Sequence, residues 1–126
     1  MAAPNIVGVT TITGKTTYLS LADTSATVLL SNAASSGKVF KVNTITVAND
    51  DGTNTANITV AVHDAAGGGG TGYKLAHTID VIADSSLVVV DKASAIYLEE
   101  DTSIVVTASA GGDLDVVCSY EEISSW

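Results

Sequence analysis

The sequence predicts an all-β domain, an antiparallel β-sandwich of about eight to ten short strands. Three observations lead there. Apolar residues recur with the two-residue period of a half-buried strand, most cleanly at Ile58, Val60 and Val62. Val and Thr are abundant while Arg and Gln are absent and the one Met is residue 1, so the residues that favour helix are scarce. Clusters of Gly, Asn, Asp and Ser interrupt the apolar runs roughly every 8 to 12 residues, the spacing of a sandwich or small barrel. These signals do not choose between jelly-roll and immunoglobulin-like connectivity. A length of 126 residues suits one domain with its own core.

Residues 1–14, MAAPNIVGVTTITG, are expected to form an extended N-terminal arm or edge strand. Pro4 opposes helix, and Ile6, Val7, Val9 and Ile12 are apolar anchors that can pair within the subunit or cross to a neighbour. Residues 15–126 then form the single sandwich domain. Residues 16–21 and 27–31 read as two short strands around a turn, and residues 32–37, NAASSG, as a small-residue loop. In residues 38–49, Phe40 and Val42 share one face and Ile45 and Val47 resume it after a step of three, which calls for a bulge near Asn43 and Thr44. Residues 49–54, NDDGTN, form a turn into the strand of Ile58, Val60 and Val62.

The four glycines of residues 67–70 are expected to be a mobile tip. Tyr73, Leu75, Ile79 and Val81 follow on one face of a strand. The continuous apolar run of residues 87–90 suggests burial on both faces or a central position. Further strands are expected around residues 96–98 and 104–107. After a turn at Gly111 and Gly112, Leu114, Val116, Cys118 and Tyr120 face in while Asp113, Asp115, Ser119 and Glu121 face out.

No stretch carries the signature of catalysis, and no cofactor or metal is expected. Gly14-Lys15-Thr16 evokes a phosphate-binding loop, but the spacing from Gly8 is one residue too long and the following TTYLSL is strand-like, which leaves no helix N-terminus to hold phosphate. His63 and His77 would need to meet across strands with a third ligand to bind a metal. The acidic turns at residues 50–52 and 99–101 lack the alternating spacing of a calcium loop. No nucleophile sits in a strained strand-to-helix elbow. The single cysteine, Cys118, excludes an internal disulfide and reads as a buried small hydrophobe. Trp126, the one tryptophan, is a candidate interface anchor.

Fourteen acidic residues against five lysines give a net charge of −9, which disfavours nucleic acid and anionic membrane surfaces as partners. The first basic side chain is Lys15, so no secretory signal is expected, and no apolar run approaches the ~20 residues of a membrane-spanning helix.

SGKVFKVNTITVANDDGTNTANITVAV, followed by YKLAHTIDVIADSSLVVVDKASAIYLEEDTSIVVTASAGGDLDVVCSYEEIS, resembles small virion structural proteins of tailed phages, especially phages of marine cyanobacteria. The resemblance runs from about Asn5 to Ser124 and is most telling at SLVVVDKASAIYLEE and DLDVVCSYEEIS. The chain departs from the family in its expanded glycine tip and in Ser125 and Trp126 after the EEIS ending. The resemblance implies a non-enzymatic structural protein, made in the host cytoplasm and carried on the virion. A capsid decoration or cement protein is the leading expectation, bound to the outer shell, contacting the major capsid protein or other virion proteins, and forming a homo-oligomer, with a trimer suited to threefold lattice positions. Ile6, Val7, Val9, Ile12 and Trp126 are the expected contacts. The alternatives are a neck, tail or fibre-base component, or a host-glycan-binding module, although several tyrosines are expected to be buried.

Overall fold

The computed structural model describes residues 6–124. Nine strands lie among them: β1 (Thr11–Ser20), β2 (Thr27–Asn32), β3 (Lys38–Asn49), β4 (Ala56–His63), β5 (Gly72–Val81), β6 (Ser86–Val90), β7 (Ile96–Leu98), β8 (Thr102–Ala108) and β9 (Leu114–Ser124). The β-branched residues and short turns that exclude helix in the sequence yield only two single-turn 3-10 segments, Ala66–Gly68 and Lys92–Ser94.

The strands form two antiparallel sheets. Sheet A has the order β1-β9-β3-β6, with β7 pairing the first part of β3, and sheet B has the order β2-β8-β4-β5. The pairings are nested: β4 with β5, β3 with β6 and β7, β2 with β8, and β1 with β9. A long hairpin wrapped into two stacked sheets in this way is a jelly roll, which decides between the two connectivities that the sequence leaves open.

The core lies between the sheets, where Val42, Ile45, Val47, Leu114, Val116 and Cys118 of sheet A meet Ile58, Val60, Ile104 and Val106 of sheet B, all without solvent exposure. Each such Leu, Ile or Val contributes about 1.5–3 kcal/mol through burial. Two buried asparagines tie loops to this core. Asn32 Nδ2 donates to the carbonyls of Lys38 and Leu98 at 2.9 and 3.0 Å, and Asn49 Nδ2 donates to those of Asn54 and Val81, both at 2.9 Å. The Oδ1 of Asn49 accepts the Asp51 N–H at 2.9 Å, so this side chain leaves no polar atom unsatisfied.

Several sequence expectations meet the structure here. The register of β3 against β9 shifts between Val42 and Thr44, where the broken alternation requires a bulge. β1 runs through the expected boundary between residues 14 and 15. β6 is an edge strand rather than a central one, paired among the described residues with β3 alone, and its Val88 faces solvent. Tyr73, Leu75 and Ile79 do not share a buried face with Val81, because β5 shifts register twice against β4 and Thr78 takes a positive φ of 47°.

Candidate assembly surface

The pairing registers place whole rows of side chains across the outer face of sheet A. Tyr18, Val117, Thr46 and Val88 form one row across all four strands. Three of them are open to solvent, Tyr18 at 73%, Val88 at 57% and Val117 at 43%. Ser20, Asp115, Ala48 and Ser86 flank the row on one side, and Thr16, Ser119 and Thr44 flank it on the other. Beyond these lie Gly14, Glu121, Lys41 and the exposed Tyr97. The face is thus small and polar around an apolar band, a surface suited to adhesion.

Of the expected contact residues, Ile12 lies on β1, six residues before Tyr18. Ile6 and Val7 are exposed, Val7 at 91%, Val9 is half-buried, and Ile12 is exposed on β1 opposite the buried Ile123. Trp126 lies outside the described residues. β1 is held to its neighbours by charge as well as by its ladder. Lys15 Nζ and Lys38 Nζ reach the two oxygens of Glu122, each at 2.8 Å, which joins β1, β3 and β9. The hydrogen bonds from Lys15 and Lys38 hold the Glu122 carboxyl below its ordinary range, and the Glu122 bond raises Lys15 in turn.

The outer face of sheet B is finished differently. Its apolar row, Val28, Val105 and Ala61, lies beneath the glycine-rich segment. Gly68, at φ 77°, sits so close that an added Cβ would come within 3.3 Å of methyls of both Val28 and Val105. The segment is pinned by side chains. Ser31 Oγ accepts from Gly67 N at 2.8 Å, Ser103 Oγ accepts from Gly68 N at 2.9 Å and donates to Ala65 O at 2.8 Å, and Asp101 Oδ1 accepts from Ala66 N at 3.0 Å. The sequence suggests a mobile tip, but the glycines serve close packing. The signal for this sits far away in the chain, in Ser31, Asp101 and Ser103.

Other candidates find structural places. His63 Nδ1 lies 3.0 Å from Gly69 O, and His77 is exposed on β5. Among the described residues no three His, Cys, Asp or Glu side chains gather as a metal site requires. Burial pushes the Cys118 thiol up to about 12, so it stays protonated and unreactive. At the loop end of the sandwich, the N–H groups of Thr53 and Asn54 lower the Asp51 carboxyl, while loss of solvent and then the Asp51 charge raise Asp113. Tyr18, Tyr73 and Tyr97 are exposed, against the expectation that several tyrosines are buried. Tyr120 alone is half-buried, 5.2 Å from the Phe40 ring.

No family model matches the chain, and no curated protein matches it by sequence. Solved structures share its fold. A protein of the disulfide-linked pili of Bacillus endospore appendages superposes over all of this chain and 98% of its own, with a TM-score of 0.54 at 16% identity. A chain of the infectious bursal disease virus particle matches 92% of this chain with a TM-score of 0.51 at 8% identity, and the match spans 32% of that viral chain. A chain of the cyanophage Pam1 capsid reaches a TM-score of 0.39 at 16% identity over 99% of this chain and 93% of its own, too slight a likeness to support an argument. At these identities the likeness is one of fold.

Proposed function

We propose that this protein is a non-enzymatic structural component of a virion, a capsid decoration protein that binds the outer shell and stabilises it by adhesion. The observation that carries this reading is the open row on the outer face of sheet A, where Tyr18, Val117 and Val88 align and stand exposed. A jelly roll that covers one outer face with its own chain and leaves the other open has a surface ready for contact. Shell proteins act through many copies, so a modest contact per copy is sufficient. The acidic exterior keeps free copies soluble and apart from packaged nucleic acid. The arm residues Ile6, Val7, Val9 and Ile12, with Trp126, reach neighbouring virion proteins, and the copies form a homo-oligomer at threefold positions.

Quantitative mass spectrometry and labelled-antibody electron microscopy of intact particles test the proposal. The expected result is many copies spread over the whole head. Confinement to the neck or tail would overturn decoration in favour of a connector or fibre-base protein, a reading favoured by the full-length fold likeness to a pilus protein. The exposed tyrosines favour a glycan module as a further reading, and binding on a glycan array that is lost in Tyr73→Ala would support it.

A further inference from the structure

β6 is the strand whose sequence and position disagree. Leu87 to Val90 is an unbroken apolar run of the kind carried by a strand covered on both faces, yet Val88 is exposed, and among the described residues β6 pairs only with β3. At the opposite edge of sheet A, β1 likewise pairs only with β9 among the described residues. Three consecutive rows link these edges. One runs Tyr18, Val117, Thr46, Val88, the next Leu19, Val116, Val47, Leu87, and the third Ser20, Asp115, Ala48, Ser86. The ends of each row match in facing: Tyr18 and Val88 point outward, Leu19 and Leu87 pack partly against the core, and Ser20 and Ser86 are exposed.

We infer that copies of this chain join head to tail, with β1 of one copy pairing antiparallel to β6 of the next. Tyr18 lies opposite Val88 of the next copy, Leu19 opposite its Leu87 and Ser20 opposite its Ser86, so that sheet A runs on through the assembly. The contact builds on the assembly reading above only in requiring self-association.

Strand direction permits this without inverting a copy. Directions alternate along β1-β9-β3-β6, so β1 and β6 run oppositely and a neighbour in the same orientation presents β6 antiparallel to β1. The alternation of hydrogen-bonded and non-hydrogen-bonded pairs also returns to phase after four strands. The rows stay level, so no slide along the strands is needed. Leu19 enters above the shallow apolar cleft between β5 and β6, which is lined by Leu75, Ile79, Leu87 and Val89.

Charge points the same way. On a chain of net charge −9, none of the 14 carboxylates lies on β1 or β6, so these edges approach without like-charge repulsion. A two-fold pairing of β1 with β1, centred on the strand and keeping the faces aligned, sets Lys15 against Lys15 or its near neighbour Thr17 in the other copy and crowds two ammoniums. The head-to-tail contact repeats at every copy and builds a ring or a fibre rather than a two-fold dimer.

Cysteine cross-linking tests the register. Within one copy Tyr18 and Val88 are three strand spacings apart, ~14 Å, beyond disulfide reach, whereas opposed residues in adjacent strands come within it. Buried Cys118 does not compete. Under mild oxidation, a mixture of Tyr18→Cys and Val88→Cys proteins should give a covalent dimer, the double variant a ladder, and each single variant alone neither, with sedimentation and circular dichroism confirming folded, self-associating protein. A silent mixture overturns the contact, and so does a Tyr18→Cys protein that cross-links alone as fast as the mixture. Absence of the protein from phage heads would leave the cross-links untouched, while heads decorated by an uncross-linkable protein would remove this contact alone.

Discussion

The outer faces of the two sheets start from similar side chains and end differently. On sheet B the row of Val28, Val105 and Ala61 disappears under a segment whose glycines let the backbone lie against valine methyls. On sheet A the row of Tyr18, Val117, Thr46 and Val88 stays open, and no comparable segment covers it among the described residues. An outward apolar row therefore has two meanings. It is a second small core where the same chain returns to cover it, and a surface open to a partner where it does not.

Uncovering sheet B should have the largest effect. In Ser103→Ala, Gly68 N and Ala65 O lose their shared partner in a largely buried setting, and the expected loss is about 2–3 kcal/mol by urea unfolding. A loss below about 0.5 kcal/mol would show that the cover is held elsewhere and that the contrast between the faces is weaker than drawn. Gly68→Ala attacks the same cover from the packing side. A left-handed φ and a Cβ against both valines should cost about 1–2 kcal/mol, and the loosened segment should raise hydrogen exchange at Gly67 and Gly68.

The sandwich itself is legible in the sequence because alternation is a local signal. Ile58, Val60 and Val62 announce a half-buried strand, and the skipped step at Asn43 and Thr44 announces a bulge. Nested strand order is not local, and nothing in the residues separates a jelly roll from an immunoglobulin-like sandwich. The asparagines that anchor the loops read as ordinary turn formers, since their partners, such as Leu98 O for Asn32 and Val81 O for Asn49, lie far along the chain. β6 differs for another reason: an apolar run signals buried faces but does not fix a strand's place in the sheet, and β6 lies at an edge with Val88 exposed.

Sheet A should respond in the opposite sense to sheet B. Val117→Ser removes an exposed methyl pair from the middle of the row and should change monomer stability by less than about 0.5 kcal/mol. Its effect should appear in adhesion instead, as weaker binding to capsids. A stability loss as large as that of Ser103→Ala would mean that the open face is part of the core after all.

The smallest effect should come from a site on neither face. Asp113 precedes β9, and its carboxyl is raised by loss of solvent and by neighbouring Asp51, so the folded chain holds this proton more tightly than the unfolded chain. That contribution is complete below the unfolded value of about 3.9 and is lost as pH rises through the raised folded value, which leaves ionised Asp113 opposing the fold near neutrality. Asp51 has the reverse sign. Its carboxyl is lowered by the Thr53 and Asn54 N–H groups, so its contribution is present above the unfolded value and is lost as pH falls through the folded one. Asp113→Asn keeps a donor facing Asp51 and carries no charge. The variant should therefore melt higher than the parent at neutral pH and converge with it at about pH 3. A gain of equal size at both pH values would show that shape rather than charge separates the two proteins. Capsid binding should be unchanged by this substitution, since Asp113 lies away from the proposed contact row on sheet A.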